Sequence, residues 1–176
     1  ISEQYIFNEI SQSNLNASVV RIFGCSSERA KPSWSAGHVP LFIYNALNNI
    51  DINIHGEGLQ TRSISSAEDI AKGLSLMTAK QEQVKNEIIN LGTDEQTTVK
   101  EVAEYIVEKT NSNSKIIYTP REKIFGDYDE TKIRFANTKK ARKLLNFKIK
   151  YSTYQVIDSM IESFKNPSSK FFVINK

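Results

Sequence analysis

Apolar residues recur along this chain at two spacings, and the alternation of the two is its main structural signal. Tyr5, Ile6 and Ile10 form a stripe at helical spacing within residues 1–13. Val19-Val20-Arg21-Ile22-Phe23 is a β-branched and aromatic run closed by Gly24, and reads as a buried strand. Residues 26–38 carry Pro32, Gly37 and many charged or hydroxyl side chains, the composition of an irregular loop. A helix is predicted to open around Pro40, where the ring's fixed φ suits a first turn and the missing N–H has no partner to lose. Ile52 and Ile54 alternate with polar neighbours before Gly56-Glu57-Gly58, which predicts a strand running into a tight turn.

Helix starts are marked by hydroxyl residues with a carboxylate or amide three positions on. Ser66 with Asp69 reads as a capping box ahead of Ile70, Leu74 and Met77. Thr98 with Glu101 precedes Val99, Val102, Ala103 and Ile106, and Ser152 with Gln155 precedes Val156, Ile157, Met160, Ile161 and Phe164. Residues 88–92 form a second apolar strand, and 116–118 a short one stopped by Pro120. Residues 121–132 are strongly polar, a helix is predicted at 138–145, and 171–174 form a terminal strand or ordered tail. Alternating strands and helices without an internal repeat indicate an α/β protein. The runs at 19–23 and 88–92 are continuous rather than alternating, as in strands of a parallel sheet buried on both faces. The chain offers them few neighbours, so either the sheet is small or most of its strands lie outside this sequence.

A chain of 176 residues is long enough for one full domain and short for two. With 39% hydrophobic and 24% charged residues it has the composition of a soluble globular protein. The net charge of +3 favours an anionic ligand modestly and is far from a nucleic-acid footprint. Lys139, Lys140, Arg142 and Lys143 skip the apolar positions of their helix and read as a solvated face. One cysteine, Cys25, excludes an internal disulfide and a cysteine-built zinc site; directly after a strand, it is expected to be a buried structural thiol. Two histidines, His38 and His55, make a histidine-based zinc cluster untenable. No apolar run approaches the ~20 residues of a membrane helix, and no signal-type segment is present. A cytoplasmic protein that binds neither nucleic acid nor membrane is the expectation.

Four segments carry a family resemblance. Arg21-Ile22-Phe23-Gly24-Cys25-Ser26-Ser27-Glu28-Arg29 matches an Arg-x-Phe-Asn-x-Tyr-Gly-Pro-Arg segment. Gly56-Glu57-Gly58-Leu59-Gln60-Thr61-Arg62, with Asp69 and Ala71 beyond, matches Gly-Asp-Gly-x-Gln-x-Arg-Asp-Phe. Asn90-Leu91-Gly92 matches an Asn-x-Gly strand end, and Gly126-Asp127 with Ala136, Lys140-Ala141 and Leu144-Leu145-Asn146-Phe147 matches a Gly-Asp…Lys-Ala…Leu-Gly-Trp segment. In this order and spacing they resemble the C-terminal, substrate-binding half of the extended short-chain dehydrogenase/reductases, the NAD-dependent nucleotide-sugar epimerases and dehydratases. The resemblance implies the last strands of a Rossmann-type sheet plus a small mixed α/β substrate-binding domain. Residues 1–35 would end the Rossmann-type domain, 36–87 and 113–176 would bind substrate, and 88–112 would return to the sheet.

The same resemblance implies a UDP- or TDP-sugar as substrate, a transient keto intermediate, and a homodimer formed through the first helix. Arg62 is the implied pyrophosphate contact, since a guanidinium presents a planar fork to phosphate oxygens. Gln60 is an implied orienting or base-recognising neighbour. Arg134 and Lys123 are implied second contacts to phosphate or nucleoside. Asn90 and Gly24 would face the cofactor; Asn90 stands at a strand's C-terminal end, where it serves either a ligand or a turn. In the family a glycine-rich turn and a catalytic Tyr-x-x-x-Lys precede this region. The only Gly-x-Gly here opens no apolar helix, and no catalytic tyrosine–lysine pair is assigned; Tyr5 is followed at i+4 by Glu9. Both features, and most of the NAD site, are expected in a missing N-terminal half, leaving this chain inactive alone. Gly24, Ser26-Ser27-Glu28, Ser63-Ile64 and Ser66 depart from the family pattern near sugar and cofactor rather than in the core. They leave the sugar open and suit an alternative, a non-catalytic scaffold or regulatory remnant of the same fold.

Overall fold

The computed structural model describes residues 1–13, 15–33, 36–120, 122–126 and 131–166. Trp34, Asp127 and the apolar tail 171–174 lie outside the described residues. Helices α1 (Ser2–Ser13), α2 (His38–Leu47), α3 (Ala67–Ala79), α4 (Val99–Thr110), α5 (Glu122–Phe125), α6 (Lys139–Leu145) and α7 (Thr153–Lys165) alternate with strands. The strands are β1 (Val19–Ile22), β2 (Cys25–Ser26), β3 (Ile52–His55), β4 (Thr61–Arg62), β5 (Ser65–Ser66), β6 (Ile88–Leu91), β7 (Thr97–Thr98), β8 (Ile116–Thr119) and β9 (Ile133–Arg134).

Pairing is mostly parallel, as crossover connections through helices require. β1 and β6 run parallel from Val19–Ile88 to Ile22–Leu91, and β3 and β8 from Ile52–Ile116 to His55–Thr119. β2 pairs with β5, while β4 lies between antiparallel β7 and parallel β9. The α/β class is as expected, and the apolar runs at β1 and β6 are indeed parallel neighbours. The two-residue strands β2, β4, β5, β7 and β9 give no periodicity to read, because a period of two needs at least four positions to show itself.

Two apolar clusters hold the elements. The larger joins α2 (Phe42, Ile43), β3 (Ile52, Ile54), α4 (Val102, Ile106) and α7 (Ile157, Met160, Ile161), with Ile64 from the β4–β5 link. The smaller joins Ile70 of α3, Ile89 and Leu91 of β6, and Ala141, Leu145 and Phe147 around α6. Side chains of this size each contribute about 1.5–3 kcal/mol on full burial, so the α2–β3–α4–α7 unit is the rigid base from which the site is built.

The caps form in two of three places. Thr98 and Glu101 exchange backbone and side-chain hydrogen bonds at α4, as do Ser152 and Gln155 at α7. At α3, Ser66 accepts from the Glu68 N–H instead. Asp69 is buried and its carboxylate accepts from the backbone N–H groups of Lys150 and Tyr151, at 3.1 and 3.2 Å. Two donors from a distant loop satisfy that carboxylate better than one cap N–H, so it ties α3 to the lead-in of α7. Helix α2 starts two residues before Pro40, which still falls within the first turn.

Other expectations are corrected. Only the start of β1 is buried; Ile22 is 49% exposed, and no residue of α1 is buried. β1 is hydrogen-bonded along one edge only among the described residues. Cys25 is exposed rather than buried, since it follows the strand's turn instead of its core. No helix among the described residues is long and apolar enough to cross a membrane.

Candidate functional site

Two of the implied ligand contacts meet. Arg62 and Arg134 are register partners on β4 and β9, and both line the same cleft. Nη1 of Arg62 donates to the carbonyls of Thr61 and Thr131, at 2.8 and 3.0 Å, which anchors one edge of its fork. Two pockets, of about 410 and about 670 Å³, adjoin here and count as lobes of one cleft because they share lining residues. Three residues line both: His38, Arg62 and Arg134. No aspartate or glutamate is among the described residues lining either lobe. A cationic waist between two roomier lobes fits an elongated ligand whose negative charge lies in its middle.

The first lobe lies at the C-terminal end of β1, with Gly24, Cys25 and Ser26 on one wall and Gly37, His38 and Val39 of the α2 entry on another. Gly24 has φ +54°, and a Cβ built on it would collide with the Ser63 carbonyl. The residues at 24 and 63 are therefore coupled by packing: with glycine at 24 the Ser63 backbone lies where a Cβ would stand. Ser65 holds this junction together. Its N–H donates to Gly24 O at 2.6 Å, its hydroxyl donates to Phe23 O at 2.9 Å, and it accepts from the Thr93 N–H at 2.9 Å. Cys25 lines the lobe as a neutral thiol, its pKa pushed up by partial burial.

The second lobe is bounded by Phe42, Asn53, His55, Gln60, Val99 and Ile124. Gln60 donates from Nε2 to His55 O at 3.2 Å, which fixes its amide against the end of β3. The Gly56–Gly58 turn packs onto α4: Lys100 N–H donates to Gly58 O at 3.0 Å, and a Cβ on Gly58 would press on Ile54 and Lys100 at 3.1 Å. This turn opens no helix, so it does not form the pyrophosphate cradle of a dinucleotide site. Nor do the described residues group three or more histidine, cysteine or acidic side chains around a metal position.

His38 is a functional candidate that sequence reasoning reached only as a non-ligand. As the first residue of α2 it feels the charge of Arg62 and meets the ring of Phe42 edge-on at 5.4 Å. Its Nε2 is buried without a hydrogen-bond partner among the described residues. Burial, and then the charge of Arg62, lower its pKa to about 4, so the imidazole is neutral at physiological pH. No spacing signal marks such a residue, because its partners come from β4 and β9, far along the chain.

Other implied site residues lie apart. Asn90 is absent from both lobes; its Nδ2 donates to Asn137 O at 3.2 Å, linking β6 to the segment before α6. Lys123, on α5, lines neither lobe. The expectation that this chain holds no Tyr-x-x-x-Lys is corrected by the sequence itself: Tyr105 with Lys109 and Tyr128 with Lys132 have that spacing. Tyr128 lies outside the described residues. Tyr105 donates to Asp158 at 2.7 Å and Lys109 reaches the same carboxylate at 3.1 Å, on the α4–α7 seam away from the cleft lining. Burial and the Asp158 hydrogen bond push the Tyr105 pKa up, opposite to the need of a catalytic base.

Comparison with known proteins bears on this architecture. The family model described as GDP-mannose 4,6 dehydratase matches residues 1–160. A UDP-N-acetyl-alpha-D-glucosaminuronate decarboxylase of Bacillus cytotoxicus is 32% identical over 152 residues, which are 86% of this chain and 47% of that protein. The structure of an epimerase from Methanothermobacter thermautotrophicus superposes with a TM-score of 0.84 at 28% identity, over 93% of this chain and 47% of that one. UDP-glucuronic acid 4-epimerase from Bacillus cereus, solved with UDP-glucuronic acid and NAD, gives a TM-score of 0.82 over 93% of this chain and 49% of its own; at 18% identity it speaks for the fold alone. The chain thus spans about half the length of the relatives it matches. With an α/β core of parallel strand pairs, four ordered motifs and a family match over nearly its whole length, the chain belongs to the extended short-chain dehydrogenase/reductase family of nucleotide-sugar epimerases and dehydratases.

Proposed function

We propose that this chain is the substrate-binding part of an NAD-dependent enzyme acting on a UDP- or TDP-sugar, by epimerisation, dehydration or decarboxylation through a transient keto sugar. The observation that carries the reading is the waist of the cleft. Arg62 and Arg134 line both lobes and no described carboxylate lines either, so a diphosphate at the waist would send its nucleoside into one lobe and its sugar into the other. The lobe beside Gly24 lies at the C-terminal ends of β1 and β6, where ligands of open parallel sheets bind. The sugar is assigned to that lobe, and the nucleoside to the lobe bounded by Phe42, Asn53 and Gln60.

In this reading Arg62 and Arg134 neutralise the diphosphate, and Thr61 and Thr131 hold the Arg62 fork so that little freedom is lost on binding. Gly24 and Asn90 remain the proposed cofactor-side positions, Gly24 as a wall of the sugar lobe and Asn90 through the strand end it tethers. The described residues do not fit the pyrophosphate of NAD, and the Tyr105–Lys109 pair does not fit a proton-transfer role. Hydride transfer and the catalytic Tyr and Lys are accordingly assigned to polypeptide outside these residues. The second subunit of the proposed homodimer would pack on α1, none of whose residues is buried.

Calorimetric titration of the full-length polypeptide with UDP tests the reading. Binding is expected, and Arg62→Ala is expected to weaken it roughly 10- to 100-fold, as when a charged partner of a phosphate is truncated. Undiminished UDP binding in R62A would remove the diphosphate from the waist, and with it the proposed function.

A further inference from the structure

The cationic waist has a third member whose chemistry the arginines do not explain. His38 lines both lobes with Arg62 and Arg134, at the entry of α2, where Gly37 gives no side-chain cap. Its Nε2 is buried and has no hydrogen-bond partner among the described residues. A buried polar nitrogen left unsatisfied costs about 1–3 kcal/mol, so a folded chain retains one where a ligand completes it more readily than where nothing does. An acceptor that is anionic would complete it best, because among the described residues lining the two lobes the permanently charged side chains are both arginines. Arg62 of β4 acts on it through its charge; Arg134 of β9 lines both lobes with it, Cys25 of β2 lines the first and His55 at the end of β3 the second, while α4 and α5 contribute apolar Val99 and Ile124.

We propose that His38 is the third diphosphate-binding residue of this cleft, donating from Nε2 to a phosphoryl oxygen held by Arg62 and Arg134. This rests on the diphosphate reading of the waist and adds to it a residue and a proton. Unliganded, the imidazole is neutral, with burial and the Arg62 charge keeping its pKa near 4. A diphosphate at the waist cancels the arginine charge and places negative charge beside the ring, and both effects raise the pKa of His38. The complex therefore takes up a proton on this residue at mildly acidic pH. Arg62 and Arg134 supply affinity at any pH; His38 makes part of the affinity depend on pH.

The test uses the full-length polypeptide and UDP, titrated by calorimetry at about pH 5.5 in buffers of different ionisation enthalpy. Because the terminal phosphate of UDP also titrates, the informative quantity is the difference between the wild type and His38→Phe, which keeps an aromatic ring and removes both nitrogens. The wild type is expected to take up more protons than His38→Phe, to bind UDP about tenfold more tightly at this pH, and to bind uridine equally. The His38 Cε1 proton resonance is expected to move towards its imidazolium position when UDP is added. His38→Gln supplies an N–H donor that does not titrate, so it is expected to keep UDP binding while losing the extra proton uptake; it serves where His38→Phe fails to fold. UDP binding that depends on Arg62 yet shows equal proton uptake in the wild type and in the variants overturns the role of His38 and leaves the waist intact. UDP binding indifferent to Arg62 overturns the underlying reading instead.

Discussion

Arg62 on β4 and Arg134 on β9 are register partners across parallel strands, so the fold holds two permanent positive charges on neighbouring positions. Like charges on adjacent strands destabilise a sheet by roughly 0.2–1 kcal/mol, a cost that the proposed diphosphate would offset. Arg134→Gln is therefore expected to leave the unliganded protein as stable as before or more so, by up to about 0.5 kcal/mol, while weakening UDP binding about tenfold. Urea melts with and without UDP measure both effects. A variant that loses stability without ligand and keeps its UDP affinity would show Arg134 to be part of the scaffold.

Gly24 governs the other wall of the cleft. Its φ of +54° and the collision that any Cβ would make with the Ser63 carbonyl leave room for glycine alone. Gly24→Ala is expected to cost about 2 kcal/mol or more, by strain and by displacement of Ser63, the chain neighbour of Arg62. Thermal unfolding should show the loss directly, with UDP affinity falling in the same variant. Gly24→Asn, which restores the residue of the family pattern, is expected to be no milder, because the Ser63 backbone now occupies that space.

The sequence made the long elements legible and the site only in pieces. Helices α4 and α7 carried both a cap signature and an apolar stripe, and local chemistry decided them. Asp69 looked like one more cap, yet its carboxylate is held by N–H groups of Lys150 and Tyr151, a contact that no local pattern encodes. Arg62 and Arg134 are each expected as phosphate contacts only through the family resemblance. Their adjacency was not legible, since β4 and β9 are two residues long and meet across some seventy residues of chain. His38 escaped notice for the same reason, and Cys25 misled because an apolar run does not reveal that its final turn leads outward.

Tyr105 and Lys109 illustrate how spacing alone deceives. They have the separation of a catalytic tyrosine and lysine, but both converge on Asp158 at the α4–α7 seam. Tyr105→Phe is expected to leave turnover of the full-length enzyme unchanged and to lower stability by about 1 kcal/mol through loss of one partly buried hydrogen bond. Steady-state assays beside a urea melt distinguish the two roles. A fall in kcat of about a hundredfold or more with stability intact would mean that this pair, rather than one outside the chain, transfers the proton.

His38 also links folding to pH in the absence of ligand. Its pKa is near 4 in the folded chain and close to the ordinary histidine value of about 6.5 when unfolded. Between these values the unfolded state binds the proton and the folded state does not, so stability falls as pH drops through this window. The loss attributable to this residue is at most about 3 kcal/mol and is complete near pH 4, below which both states are protonated. Urea melts of the wild type and His38→Phe at intervals from about pH 7 to pH 4 isolate it, since carboxylates titrate alike in both. The two curves are expected to diverge on acidification, with the phenylalanine variant losing less stability. With UDP saturating the waist the divergence should shrink, because the bound diphosphate lifts the imidazole's pKa back towards its unfolded value. Parallel curves without ligand would mean that His38 is hydrated and ordinary in the folded state.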